Sequence, residues 1–243
     1  MITDKAEALV RQNVEDVVDA LAAVSDPLPR VMLVGAVCRD ALHLEHGHTT
    51  ALRSTDDLDL ALVVDGLDQF DQITSQLHRT PSTAGTVRYL IAGTAVDLVP
   101  FGEQVEDPDG TVTPREEMSV FGFQDVIASA HSVSLRQKHH VLVPTTAGYT
   151  VLKLKAWADR SAAGQYKDAS DLAAAMFWYQ NDPVTIDRLY SENDLSHLES
   201  AEWDQDLAAV RLLIADVAAV RRTAALQPRA SRADVSLLDR QQA

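Results

Sequence analysis

The chain is short of cysteine, of positive charge and of long apolar runs, and each shortage excludes something. A single cysteine, Cys38, rules out an internal disulfide framework and a cysteine-rich zinc site. The longest apolar runs are strand-sized, as in Val31-Met32-Leu33-Val34, far from the roughly 20 residues that cross a bilayer. The first residues, Met-Ile-Thr-Asp-Lys-Ala-Glu, carry charges where a secretory signal has its apolar stretch, so the expectation is a cytoplasmic protein with no membrane partner. Lys and Arg together number 21 against 36 Asp and Glu, a net charge of −15, so the whole-molecule basic footprint of a nucleic-acid binder is absent. What remains is 46% hydrophobic and 23% charged over 243 residues, a globular balance with enough chain for one large domain or two small ones.

The charge is unevenly spread. Between residues 181 and 210 eight acidic residues (Asp182, Asp187, Glu192, Asp194, Glu199, Glu202, Asp204, Asp206) face one Arg188. Between 129 and 169 the balance reverses, with Arg136, Lys138, Lys153, Lys155, Arg160 and Lys167 against Asp159 and Asp168. A local basic face inside an acidic protein is therefore expected.

Residues 4–24 carry Ala8, Leu9, Val14, Val17, Val18, Leu21 and Ala22 on one helical stripe, which Pro27 and Pro29 bring to an end. Residues 31–34 read as a buried strand that Gly35 turns into a helix ending near His43, followed by a polar loop with His46 and His48. A strand over 58–64, a helix over 67–77 and a hairpin of 86–91 with 94–99 around Ala92-Gly93 come next. Residues 107–115 read as a surface loop. After residue 118, strands within 133–143 give way to helices near 146–161, 168–179, 184–190 and 202–224. Trp157, Trp178 and Trp203 fall at helical core positions. The expected fold class is α+β: a small mixed sheet flanked by helices over 1–118, a mainly helical part over 119–226 that completes the site, and a flexible tail over 227–243.

The chemistry concentrates in Val34-Gly35-Ala36-Val37-Cys38-Arg39-Asp40 and Arg53-Ser54-Thr55-Asp56-Asp57-Leu58-Asp59-Leu60. Glycine at a strand–helix junction lets a ligand approach the backbone, and the helix N-terminus beyond it suits a phosphate. Strand side chains alternate, so Asp57 and Asp59 share a face while Leu58, Leu60 and Leu62 point to the core. Two carboxylates side by side repel unless a cation lies between them, and Mg²⁺ suits that place. The plainer reading is a solvated strand start. Asp97, the lone charge in Thr94-Ala95-Val96-Asp97-Leu98-Val99, tips the balance, because a buried carboxylate needs a partner or a metal. Set beside Asp57 and Asp59, it would complete a two-metal phosphoryl-transfer site.

Gly35, the Asp57-Leu58-Asp59 pair and the lone strand Asp97 together resemble the nucleotidyltransferase superfamily with its DNA-polymerase-β-like core. Lys153-Leu154-Lys155-Ala156-Trp157-Ala158-Asp159-Arg160 followed by Lys167-Asp168-Ala169-Ser170-Asp171-Leu172 is similar to motifs of the AbiEii/MenT-like nucleotidyltransferase toxins. The resemblance spans roughly residues 31–179 and departs at Ala36, where the family has Ser or Gly. It implies Asp57, Asp59 and Asp97 as metal ligands for Mg²⁺ (or Mn²⁺), and with Lys153 as the catalytic set. Gly35, Ala36, Arg39, Arg53, Thr55, Lys153, Arg160, Asp168 and Asp171 would surround a nucleoside triphosphate substrate. Read by themselves, Lys153 and Arg160 could be one solvated helix face, and Asp168 an ordinary N-cap. The implied activity is transfer of a nucleotide to an acceptor hydroxyl. The expected acceptor is an RNA 3′ end such as tRNA, with a cognate antitoxin as partner. Nucleotidylation of a protein and a degenerate binding or antitoxin module are the alternatives.

Overall fold

The structure, a computed structural model, describes residues 2–53, 56–80, 88–105, 111–112 and 118–226. Thr3 opens helix α1 (Asp4–Val24) by accepting the Ala6 N–H, and Asp4 and Glu7 in the first turn suit the helix dipole. Its buried stripe is Ala6, Val10, Val14, Val17, Val18 and Leu21. Ala8, expected on that stripe, is exposed, since it lies about half a turn round from Ala6 and Val10. Strand β1 (Val31–Leu33) is wholly buried and feeds helix α2 (Gly35–Glu45). Then come β2 (Asp57–Val63), α3 (Leu67–Thr74), β3 (His78–Thr80), β4 (Arg88–Ile91) and β5 (Thr94–Phe101). The helix expected over 67–77 stops at Thr74, because His78–Thr80 is recruited as a polar edge strand that hydrophobic periodicity does not reveal.

Two short strands, β6 (Thr111–Val112) and β7 (Met118–Ser119), pair with each other. Helix α4 (Phe123–Ser129) was not foreseen; at seven residues it is too short to show a period. Strands β8 (His131–Ser134) and β9 (His140–Val143) precede helices α5 (Thr146–Ser161), α6 (Lys167–Asn181), α7 (Pro183–Leu189), α8 (Leu195–Ser200) and α9 (Gln205–Leu226). The helix expected over 202–224 starts later, at Gln205: Glu202 and Trp203 have φ of 55° and 67°, and Asp204 then accepts the Leu207 N–H at 3.0 Å to start α9. That break leaves Trp203 62% exposed, so it is not a core residue, whereas Trp178 is fully buried as expected.

Among the described residues seven strands form one sheet in the order β3-β4-β5-β2-β1-β9-β8. Strand β2 runs parallel to β5 and antiparallel to β1, which in turn runs parallel to β9. Strands from both sides of residue 118 thus share the sheet. Helix α2 packs on α1 and β2 and also meets α5 and α6, joining the sheet to the helical half. At that joint the Trp178 ring nitrogen donates to His43 Nδ1 at 2.9 Å, and His46 stacks on the Trp178 ring at 5.7 Å. His43 within α2 and His46 at its end therefore serve the packing of α2 against α6. The α+β expectation, a mixed sheet with a helical C-terminal half, holds. No described helix is long and apolar enough to cross a membrane.

Candidate active site

Register decides which carboxylates meet. In the β2–β5 ladder Asp59 pairs with Asp97, and Asp57 with Ala95. In the β4–β5 hairpin Asp97 pairs with Arg88. Arg88, Asp97 and Asp59 thus lie in one row across three strands, with Asp57 two residues along β2 on the same face. The Arg88 guanidinium grips both Asp97 oxygens at 2.8 Å and reaches past β5 to donate to Asp57 Oδ2 as well. Burial, with repulsion from Asp57 and then Asp97, pushes the Asp59 carboxyl up to about 6. Among the described residues no three His, Cys, Asp or Glu side chains are arranged as they stand to hold a metal ion. A guanidinium occupies the space between Asp57 and Asp97 instead.

Gly35 lies against Asp59 from the other side. Its φ is +67°, and a Cβ there would fall 1.8 Å from Asp59 Oδ2, so both conformation and space demand glycine. The N-cap of α2 is Val34, which makes no side-chain cap, and Ala36 in the first turn is half-buried. The first turn of α2 thus lies against Asp59 with no side-chain cap on its N–H groups.

The second cluster is built on α2, α5 and α6. Arg39, 3% exposed, donates through Nε to Asp40 at 2.9 Å and through Nη2 to the Arg53 carbonyl at 2.6 Å, and lies 3.5 Å from Asp171. Lys153 Nζ is 2.6 Å from Asp171 and 3.6 Å from Asp168. Arg160 holds the other oxygen of Asp168 at 2.8 Å. Asp168 and Asp171 are buried, and the cap of α6 is Tyr166, so Asp168 is an ion-pair centre and not an N-cap. Lys153 keeps 16% of its side chain exposed, above the Tyr149 ring at 5.4 Å from its centre. Its charge lowers the Asp59 carboxyl against the larger upward effects, so the two clusters lie within electrostatic reach of each other. Cys38 is buried in α2 with its thiol pushed up by desolvation, which leaves it a packing residue.

No protein-family model matches the chain, and no curated protein matches it either. Two solved structures share 12% identity with it. One is the solution structure of the antibiotic-resistance factor ANT(2″)-Ia, at a TM-score of 0.36 over 99% of this chain and 98% of that one. The other is ANT(2″)-Ia in complex with adenylyl-2″-tobramycin, at a TM-score of 0.35 over 72% of this chain and 89% of that one. Both scores are too low to bear on fold or function.

Of the residues singled out in the sequence, Asp57, Asp59, Asp97 and Gly35 converge at the sheet, and Arg39, Lys153, Arg160, Asp168 and Asp171 converge beside them. Arg53 contributes its carbonyl to Arg39 while its side chain is exposed. Thr55, with Ser54, lies outside the described residues, as do the tail from 227 and most of the 107–115 loop. The expected basic face does not form as pictured. Arg136 is drawn to Glu15, Asp16 and Asp19 of α1, and Lys155 is paired with Asp159. The residue that sequence reasoning missed is Arg88. The signal was available: the two-residue Ala92-Gly93 turn pairs Ile91 with Thr94, and three steps back on each strand Arg88 meets Asp97.

Proposed function

We propose that the chain is a metal-dependent nucleotidyltransferase that moves a nucleotide from a nucleoside triphosphate to an acceptor hydroxyl at the Asp57–Asp59–Asp97 edge. The in-register meeting of three carboxylates on two parallel strands, flanked by a lysine and a glycine-opened helix, carries this reading. The donor set fits a hard divalent cation, Mg²⁺ or Mn²⁺ in its place. It is all oxygen, its mutual repulsion is visible at Asp59, and a positive group already lies between Asp57 and Asp97. Asp57, Asp59 and Asp97 would hold the cation, which when bound supplies Lewis acidity toward the α-phosphoryl oxygens and eases ionisation of the acceptor hydroxyl.

The chain's own residues bind and orient. Lys153, anchored by Asp171, turns its ammonium to the triphosphate. Gly35 lets the α-phosphoryl group approach the backbone, and the uncapped first turn of α2 offers N–H donors. Arg39 braces α2 against α6 through Asp171. The acceptor oxygen bonds to the α-phosphorus, the α–β phosphoanhydride bond breaks, pyrophosphate leaves, and the hydroxyl proton passes to the carboxylate edge and solvent.

An RNA 3′ end would need a basic approach surface. Arg136 is engaged by three carboxylates, so that surface would rest on the remaining basic residues; RNA stays the proposed acceptor and a protein hydroxyl the alternative. A cognate antitoxin remains part of the RNA reading alone. Incubating the protein with each α-labelled triphosphate, Mg²⁺ and either total RNA or RNA-free lysate distinguishes them. Label in RNA supports the first reading, label in protein bands the alternative, and label in neither fraction contradicts the transferase proposal.

A further inference from the structure

Arg88 is the one cation bonded directly to the carboxylate edge among the described residues, and its geometry is not that of a casual surface pair. Its fork matches both Asp97 oxygens at 2.8 Å, the bidentate arrangement that guanidinium and carboxylate planes favour. The same Nη2 also reaches a second strand to meet Asp57. Cross-strand register fixes its backbone opposite Asp97, so the side chain needs only to swing and not to travel. It keeps 32% of its side chain exposed while Asp97 keeps 18%, so there is room for the swing toward solvent.

We propose that Arg88 closes the carboxylate edge to free divalent cations and yields it to a cation that arrives with a triphosphate. The proposal rests on the nucleotidyl-transfer reading. A free cation must displace the guanidinium from Asp57 and Asp97 and leave it with no anion. A triphosphate entering with the cation offers Arg88 phosphate oxygens of the same fork geometry, so the exchange conserves its ion pairing. Arg88 is thereby a specificity residue: it couples cation binding to nucleotide binding, and each must raise the affinity for the other by the same factor.

The test is a titration of the full-length protein with Mn²⁺, followed by the free-ion electron-spin signal, with and without a non-hydrolysable triphosphate analogue. It is run on wild type, Arg88→Gln, Arg88→Lys and Asp57→Asn. Without nucleotide, Arg88→Gln is expected to bind Mn²⁺ about tenfold more tightly than wild type, the worth of one bidentate competitor. The analogue should then raise Mn²⁺ affinity more in wild type than in Arg88→Gln. Should Arg88→Gln fold poorly, Arg88→Lys keeps the charge but loses the fork, and an intermediate gain is expected. Equal or weaker Mn²⁺ binding in both Arg88 variants, with wild-type binding lost in Asp57→Asn, overturns the competitor role and leaves the transferase reading standing. Failure of every protein to bind Mn²⁺, or binding indifferent to Asp57→Asn, overturns both.

Discussion

Two charged clusters lie side by side in this molecule, and they are balanced differently. The cluster on α2, α5 and α6 sets Arg39, Lys153 and Arg160 against Asp40, Asp168 and Asp171, three against three. The cluster at the sheet sets Asp57, Asp59 and Asp97 against Arg88, three against one. Where the charges balance, the ion pairs fill one another and hold the helices together. Where they do not, a charge deficit is left that a cation and its substrate can fill. On the proposed function, that difference would put the chemistry at the sheet and the scaffolding on the helices, with Lys153 at the boundary between them.

Substitution at the unbalanced cluster should show the largest effect. Asp57→Asn or Asp59→Asn should reduce nucleotide transfer on the order of a thousandfold or more, as expected when a metal's contribution of several kcal/mol is withdrawn. The folded state should survive, which circular dichroism checks. Near-normal transfer in either variant would remove the distinction between the clusters.

The balanced cluster should respond in stability. Asp171→Ala leaves Arg39 and Lys153 buried without their shared partner, and breaking such a pair costs roughly 3–4 kcal/mol, read as a lower urea midpoint. A change below 1 kcal/mol would mean that the cluster is not a frame.

Asp59 should respond in the opposite direction. Its carboxyl is pushed up to about 6 by burial and by its two neighbours, so the folded chain holds this proton more tightly than the unfolded one. Ionising it as the pH rises through 4 to 6 therefore costs folding energy. In chelator, Asp59→Asn should be more stable than wild type by roughly 3 kcal/mol at pH 8. The gain should vanish below the ordinary carboxylate range, where Asp59 is neutral in both states. A stabilisation that does not change with pH would point to packing and not to charge. The smallest effect belongs to Arg136. Because it answers carboxylates of α1, Arg136→Glu should leave retention of RNA across a salt titration like that of wild type. A steep loss would restore the basic face.

The sequence disclosed the site better than the surface around it. Strand alternation was enough to set Asp57 and Asp59 on one face, and a lone charge in an apolar strand was enough to single out Asp97. The pairing of Arg88 followed from a two-residue turn and could have been counted. Arg136 could not be foreseen, because its partners are over a hundred residues away on α1 and only the tertiary fold brings them together. The same holds for Asp168: its position at a helix start argued for a cap, and only the packing of α5 on α6 shows that Lys153 and Arg160 claim it. Polar β3 and short α4 escaped because apolar periodicity was the signal used, and neither element carries enough of it.

On the proposed function, the carboxylate edge breaks the α–β bond of a nucleoside triphosphate. The most direct measurement is the phosphate species released when the protein, Mg²⁺, a triphosphate and whole lysate with its RNA are incubated together, for wild type and Asp97→Asn. Pyrophosphate is expected, matched by nucleotide covalently joined to an acceptor, with both lost in Asp97→Asn. Orthophosphate in place of pyrophosphate, or pyrophosphate release undiminished in Asp97→Asn, would contradict it.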